Sequence, residues 1–187
     1  NTDINDINIF SYHELSNISS LDLIFSSTVR NIWPVNQIFN GLVQLDDSLN
    51  IKPDLAKKWD ISDDGLNYVF NIKKNIFFHK SNIFGADSTR TVNAYDFEYS
   101  FNRLKSPELS SPGSWVLNNV DQYKAINDSL FSISLKKPFA AFIGILSMKY
   151  CSVVPREAVE YYGVKFGKNP IGTGPFKLKK WEENIKL

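Results

Sequence analysis

Residues 51–78 read IKPDLAKKWDISDDGLNYVFNIKKNIFF, and this stretch contains the pattern from which we predict the fold. Lys52-Pro53-Asp54 indicates a turn, because proline fixes its backbone angle and lacks an amide donor. Residues 60–65 are rich in Asp and end in Gly, as is typical of the connection between two strands of a hairpin. Apolar and polar residues then alternate over 66–72, with Val69 as the one exception, which indicates a strand with one buried face. We therefore predict an antiparallel pair of strands, with Trp59 as a large apolar residue in the first of them.

The composition is that of a globular chain with nearly balanced charge. The 187 residues are 43% hydrophobic and 14% aromatic, enough for the core of one large or two small domains. Lys and Arg total 21 against 20 Asp and Glu, and no basic cluster indicates binding to nucleic acid. The longest wholly apolar run, 139–146, is far shorter than the ~20 residues of a membrane-spanning helix. No signal peptide stands at Asn1, so we expect a cytosolic chain or one that begins after processing.

Upstream of residue 51 the sequence predicts two strands with a helix between them. The strands are expected at 7–12 and 42–45. The helix is expected to open at Asn31-Ile32-Trp33-Pro34, because proline suits the first turn of a helix. It is expected to end near Gly41, since glycine commonly follows a helix. Its apolar residues repeat at helical spacing; they are Val35, Ile38, Phe39 and Leu42.

Downstream of residue 78 the clearest signals are a capped helix and a second hairpin. Asn93 is a typical N-cap, and Asp96, three residues later, completes a capping box. Residues 121–127 and 130–136 predict two strands joined by a short turn. The helix has an apolar stripe made of Ala94, Phe97, Phe101 and Leu104. The other predictions are a long loop at 81–91, a helical turn at 115–120, a helix at 139–147, a strand at 152–154 and a helix at 155–162.

No group of residues in the sequence points to catalysis or to a bound metal. Gly172-Thr173-Gly174-Pro175 lacks the Lys-Ser/Thr of a phosphate loop, and we interpret it as a turn. His13 and His79 have no second ligand at metal-binding spacing, and His79 is expected to form hydrogen bonds at a strand end. Ser26-Ser27 have no base at an informative distance. Cys151 cannot form an internal disulfide and is expected to be a small buried hydrophobe. We therefore predict neither an enzyme nor a cofactor.

Three stretches, in this order, resemble the oligopeptide- and dipeptide-binding family of extracellular solute-binding proteins. The first is 51–79, with its Lys-Pro-Asp-Leu-Ala, Trp, acidic turn and Phe-His. The second is Asn93 to Arg103, NAYDFEYSFNR, and the third is 169–176, NPIGTGPF. Members of this family are the receptors of ABC importers.

The resemblance implies a fold and a division into lobes. We expect an α+β, periplasmic-binding-protein-like fold, with mixed and antiparallel sheets flanked by helices. Because family chains are much longer, we expect it to be incomplete at its C-terminal end. Residues 1–41 and 156–187 are expected to be parts of lobe I, and 42–155 an inserted lobe II. The lobes of the family close over their ligand by a hinge.

The resemblance also places two candidate ligand-binding stretches. The first consists of Ser26, Ser27, Thr28, Val29 and Arg30, which would offer backbone groups to an extended peptide. Ser27 stands where peptide binders of the family often have an acidic residue. The second consists of Gly113, Ser114 and Trp115, although ordinary core packing is the alternative for Trp115. The family's clamp for the peptide amino terminus lies beyond Leu187, so we expect weak binding or none by this chain alone.

By resemblance, then, the chain is a receptor that binds a peptide ligand and delivers it to an ABC transporter permease. We expect a monomer at the periplasmic side or the cell surface, held by a lipid anchor outside this sequence. The alternatives are a receptor for another solute, such as a metal chelate or an oligosaccharide, and the ligand-sensing domain of a transcriptional regulator.

Overall fold

The computed structural model describes residues 18–181. Its α-helices are α1 (Val29–Ile38), α2 (Ala94–Lys105), α3 (Phe142–Ile145) and α4 (Arg156–Tyr162). Its strands are β1 (Val43–Leu45), β2 (Ile51–Pro53), β3 (Ala56–Ile61), β4 (Asn67–Ile72), β5 (Val120–Asn127) and β6 (Leu130–Leu135). Short 3₁₀ helices occupy Leu23–Phe25, Asn82–Asp87, Ser114–Leu117, Lys149–Cys151 and Gly163–Lys168. The predicted strand at 7–12 lies outside the described residues.

The centre of the fold is a four-stranded antiparallel sheet in the order β3-β4-β6-β5. Both predicted hairpins are confirmed, because β3 pairs with β4 and β5 pairs with β6. Tyr68, Phe70 and Ile72 of β4 are buried, as the alternating pattern predicted, whereas Trp59 of β3 is half-buried. Phe70 stands opposite Phe131 of β6, so the two hairpins meet through a pair of fully buried rings.

The prediction of a turn at Lys52-Pro53-Asp54 is wrong for its first two residues. These residues belong to β2, which pairs with β1 in a separate two-stranded sheet, and Pro53 stands opposite Val43. Proline is tolerated there because the strand lies at a sheet edge, where an amide donor is not needed on the open side.

Helix α2 covers one face of the sheet and begins as predicted. The Asn93 side chain accepts hydrogen bonds from the amides of Tyr95 and Asp96, at 3.0 and 3.3 Å. The Asp96 carboxylate accepts one from the Asn93 amide at 2.9 Å, which completes the capping box. The whole apolar stripe is buried, and the rings of Phe97 and Phe101 lie 5.8 and 5.4 Å from that of Phe131.

Helix α1 begins earlier and ends earlier than predicted. Thr28 is extended, and its carbonyl accepts hydrogen bonds from Asn31 and Ile32, both at 3.0 Å, so the helix begins at Val29. Pro34 therefore lies inside the helix, where it cannot donate to the carbonyl four residues before it. The helix ends at Ile38, three residues before Gly41.

The segment from 139 to 163 is less regular than predicted. The helix at 139–147 shortens to α3. Residues 152–154 form no strand, since the Val153 amide donates to the Asn40 carbonyl while the Val154 amide donates to the Ser100 side chain. The helix predicted at 155–162 is confirmed as α4, and Gly163 follows it with a positive φ of 52°.

Buried residues of 18–41, 42–155 and 156–181 belong to one hydrophobic cluster. For example, the rings of Phe39 and Phe166 lie 6.4 Å apart. The division into lobes at residues 41 and 155 stays a prediction. In the part of the chain from 18 to 181, no helix is both long and apolar enough to cross a lipid bilayer.

Candidate functional site

The first predicted ligand-binding stretch lies at the start of α1 and is mostly exposed. Ser27, Thr28, Val29 and Arg30 are exposed, and Thr28 is the N-cap residue of the helix. Ser26 differs, because its side chain is buried and its hydroxyl donates to the Asp22 carbonyl at 3.1 Å. The stretch therefore presents four side chains to solvent and turns Ser26 inward.

The second predicted stretch combines a buried glycine with an exposed tryptophan. Trp115 is 49% exposed, which excludes the alternative that it packs in the core. Ser114 is half-buried, and both residues lie in the 3₁₀ helix Ser114–Leu117. Gly113 is buried against Tyr150, whose ring lies only 2.3 Å from where a Cβ on Gly113 would stand. Gly113 thus lets the loop pass close to Tyr150 and presents no side chain to a ligand.

Ser111 connects the two stretches. Its buried hydroxyl donates to the Ile24 carbonyl at 2.6 Å and accepts from the Gly113 amide at 3.1 Å. The loop before Trp115 is thereby fixed to the segment before Ser27. Sequence reasoning missed Ser111, since a serine in a Ser- and Pro-rich loop gives no signal of a partner 87 residues away.

Exposed apolar side chains occur within and beside the first stretch. Phe25, Val29 and Trp33 are 38%, 67% and 57% exposed, and the last two lie four residues apart on one face of α1. Large exposed apolar side chains that lie together are typical of a binding surface. The apolar stripe that the sequence predicted for this helix is buried, but the sequence analysis did not identify Val29 and Trp33 as exposed.

A buried ion pair lies beneath the first stretch. The Arg103 guanidinium donates to both carboxylate oxygens of Asp22, with Nη1 at 2.8 Å from Oδ1. Asp22 also accepts from the Ile24 amide at 3.3 Å, and the Arg103 guanidinium lies 5.5 Å from the centre of the Phe166 ring. Arg103 ends the second resembling stretch, so this part of the resemblance has a structural role in holding residues 22–26.

The other resembling stretches meet at a hydrogen-bonded junction. Asp54 accepts hydrogen bonds from the side chain of Asn40 and the amide of Gly41, each at 3.1 Å. Asn40 in turn accepts one from the Thr173 hydroxyl at 3.0 Å. Cβ atoms on Gly172 and Gly174 would stand within 2.1 and 2.4 Å of backbone oxygens of α1. The Gly-Thr-Gly sequence is therefore a close-packed turn, as predicted, and does not surround a phosphate.

His79 fixes the same turn. Its amide donates to the Gly172 carbonyl, and its ring Nε2 donates to the Gly174 carbonyl, each at 2.8 Å. The ring Nδ1 accepts from the Gly172 amide at 3.4 Å, which corresponds to a neutral imidazole with its proton on Nε2. Burial lowers the pKa of His79 below its ordinary value, and the nearby Lys177 acts in the same direction.

Two further titratable groups lie nearby, the half-buried Lys149 and the buried Cys151, and both are explained by packing. The Lys149 ammonium donates to the Phe39 carbonyl at 3.2 Å, and burial lowers the pKa of Lys149. Burial raises the pKa of the Cys151 thiol to about 12, so Cys151 is an unreactive buried residue, as predicted. Across residues 18–181 the structure brings no three His, Cys, Asp or Glu side chains together as a possible metal site.

Relatives of known function match most of this chain. The glutathione-binding protein GsiB of Salmonella typhimurium is 29% identical over 168 residues, 90% of this chain and 31% of GsiB. The GsiB protein of Escherichia coli O157:H7 is 28% identical over the same length. The chain thus spans about a third of the length of these relatives. Both are named as binding proteins.

Solved structures match the fold at similar coverage. The periplasmic binding protein DppA of Helicobacter pylori, in complex with the peptide STSA, is 27% identical with a TM-score of 0.80. That match covers 90% of this chain and 36% of DppA. The Escherichia coli murein tripeptide binding protein MppA is 25% identical with a TM-score of 0.80, over 90% of this chain and 35% of MppA. The predicted periplasmic-binding-protein-like, α+β fold is confirmed.

A family model decides the assignment. The model described as bacterial extracellular solute-binding proteins, family 5 Middle, matches residues 50–187, well over half of the chain. The match includes the Lys-Pro-Asp sequence, the capped helix α2 and the Gly-Thr-Gly turn, which belong to the three stretches on which the resemblance was based. This chain therefore belongs to family 5 of the bacterial extracellular solute-binding proteins.

Proposed function

We propose that the chain is part of a receptor that captures peptides or peptide-like solutes for an ABC importer. The observation that carries the proposal is membership of family 5 over residues 50–187. A glutathione-binding protein and a peptide-bound DppA are among the relatives, and both ligands are short peptides or built like one. Membership of this family favours a receptor over the regulatory domain that was the alternative from sequence.

The proposed contact surface is the exposed side of residues 27–30 together with Trp115. Thr28 has extended backbone angles, φ −110° and ψ 149°, which suit the addition of an extended peptide. Val29, Trp33 and Trp115 supply exposed apolar area for the side chains of a ligand. Ser111 fixes the spacing between the two stretches through its bond to Ile24.

In the whole receptor, a second lobe would close over this surface and complete the site. The closed form would then be recognised by a membrane permease, and the receptor would work as a monomer outside the inner membrane, where a lipid anchor would hold it. Half of a cleft encloses little of a ligand, whereas complete pockets bury about 70–90% of it. We therefore expect this chain to bind peptides with dissociation constants in the millimolar range.

Binding this weak is best measured by NMR. The ¹⁵N-labelled chain would be titrated with the tetrapeptide Ser-Thr-Ser-Ala and, separately, with glutathione. We expect amide shifts to change at 27–30 and at 114–115, and to stay unchanged in the distant turn at 62–65. Changes spread over the whole surface, or none at these two stretches up to about 10 mM peptide, would contradict the proposal.

A pair of variants tests the location of the site. Trp115→Ala removes an exposed side chain and should abolish the shifts at 27–30 without unfolding the chain. Tyr95→Ala removes an equally exposed aromatic, 51% exposed, from the start of α2 and should leave the shifts unchanged. Equal titration curves for both variants would place the ligand elsewhere.

A further inference from the structure

A basic cleft lies apart from the proposed peptide surface. It has a volume of about 940 Å³ and is formed where the Asn82–Asp87 helix faces the end of α4 and residues 168–171 and 177–181. Among the described residues, none of the two proposed ligand-binding stretches lines it. Pockets for small molecules typically have volumes of about 300–1,000 Å³, so the cleft is large enough for one.

The cleft concentrates positive charge in a chain that is almost neutral. Five of its lining residues are lysines, and no Asp or Glu is among the lining residues that the structure describes; the lysines are Lys80, Lys168, Lys177, Lys179 and Lys180. Lys168 and Lys180 each make a further interaction within the chain, so the proposal relies chiefly on Lys80 and Lys179. The whole chain has a net charge of only +1. A concave wall of one sign raises the local concentration of ions of the opposite sign.

Polar and aromatic groups complete the lining. Ser81, Asn82 and Asn169 offer neutral hydrogen-bonding groups beside the lysines. The aromatic members are Tyr161, Tyr162 and Trp181, and the Lys168 ammonium lies 5.9 Å from the centre of the Trp181 ring. The Lys177 ammonium donates to the Lys80 carbonyl, which joins the two walls of the cleft.

We propose that this cleft binds a small anion that carries several phosphate or carboxylate groups. Ammonium groups bind both kinds of oxyanion as point charges, and the neutral donors and aromatic rings add contacts to the remainder of the ligand. The concave shape favours a small molecule over a flat anionic membrane surface. The proposal does not depend on the peptide receptor function, because the two surfaces share no residue.

The test is calorimetric titration of the chain with inorganic pyrophosphate and with citrate at low ionic strength. We expect saturable binding of at least one of them, with an affinity that falls as salt is added. Comparing the two probes separates phosphate from carboxylate recognition. Vesicles that contain an anionic phospholipid are the third probe; binding to vesicles with no binding of either small anion would overturn the proposal in favour of a membrane contact.

Matched charge variants locate the site. Lys80→Gln combined with Lys179→Gln removes two charges from the cleft and should weaken the binding of pyrophosphate about tenfold. Lys57→Gln combined with Lys124→Gln removes two exposed charges outside the cleft and should change the affinity for pyrophosphate less than about twofold. Equal weakening by the two pairs would show non-specific attraction and overturn the proposal, as would the absence of any saturable binding by the unaltered chain.

Discussion

Arg103 of α2 and Asp22, which precedes it by 81 residues, form a buried ion pair through two hydrogen bonds. Less than a tenth of either side chain is exposed, at 8% and 6%. The pair holds the segment that leads into the proposed ligand-binding stretch against the helix that covers the sheet. It thereby couples the placement of residues 22–26 to the core of the domain.

Removing one partner of this pair should destabilise the whole chain. Arg103→Met leaves the Asp22 carboxylate buried without its cation, and such a change typically costs about 3–5 kcal/mol. Urea denaturation followed by fluorescence measures the free energy of unfolding. The double variant Asp22→Asn with Arg103→Met should recover part of the loss, because no charge then stays buried. If Arg103→Met lowered the free energy of unfolding by less than about 1 kcal/mol, the ion pair would not stabilise the chain as proposed.

A second prediction concerns the cap of α2. Asn93→Ala removes the side-chain acceptor for two amides at the helix start and should lower the free energy of unfolding by about 1 kcal/mol. Asn93→Asp keeps an acceptor at the same position and is the matched control, with an expected change near zero. The same loss in both variants would mean that the amide group of Asn93, rather than its oxygen, stabilises the helix.

The ion pair and the helix cap differ in how far they could be predicted from sequence. The capping box and the alternation in β4 are local patterns, so the order of residues within each element is enough to predict them. The partner of Arg103 and the role of Ser111 depend on contacts across more than 80 residues, which no local pattern contains. Pro53 was misinterpreted for a different reason, because its place in a strand is decided by pairing with Val43 of the neighbouring β1, and the residues immediately around Pro53 do not reveal that pairing.

The two glycines Gly113 and Gly144 should respond in opposite ways to the same substitution. A Cβ on Gly113 would stand 2.3 Å from the ring of the buried Tyr150, so Gly113→Ala should destabilise the chain by about 1–3 kcal/mol. A Cβ on Gly144, inside α3, meets nothing within 4 Å. Gly144→Ala should therefore be neutral or stabilise by up to about 1 kcal/mol.

Thermal denaturation of both glycine variants checks this contrast. If Gly113→Ala proved as stable as the unaltered chain, the loop before Trp115 would have to be less closely packed than the structure shows. In that case the fixed spacing between the two proposed ligand-binding stretches would also lose its support.

The last prediction is a dependence of stability on pH through His79. The folded-state pKa of His79 lies below its ordinary value of 6.5, chiefly because of burial, so the unfolded chain binds the proton more readily. Stability from the neutral ring is fully present above pH 6.5 and is lost as the pH falls toward the folded-state pKa. In the neutral ring, Nδ1 accepts a hydrogen bond from the Gly172 amide at 3.4 Å. Protonation of Nδ1 would turn it into a donor, so two N–H groups would then face each other.

Urea denaturation at several values between pH 5.5 and 7.5 measures this effect, in a range chosen to lie above the titration of most carboxylates. The unaltered chain should become less stable toward pH 5.5, and His79→Asn, which cannot be protonated, should show a smaller slope. The His79→Asn variant also loses the hydrogen bond to the Gly174 carbonyl, which lowers its free energy of unfolding at every pH. The test is therefore how steeply the free energy of unfolding changes with pH, and not its absolute value. Any contribution from His13 is common to both proteins and cancels in the comparison. Equal slopes would mean that the folded chain does not hold His79 neutral.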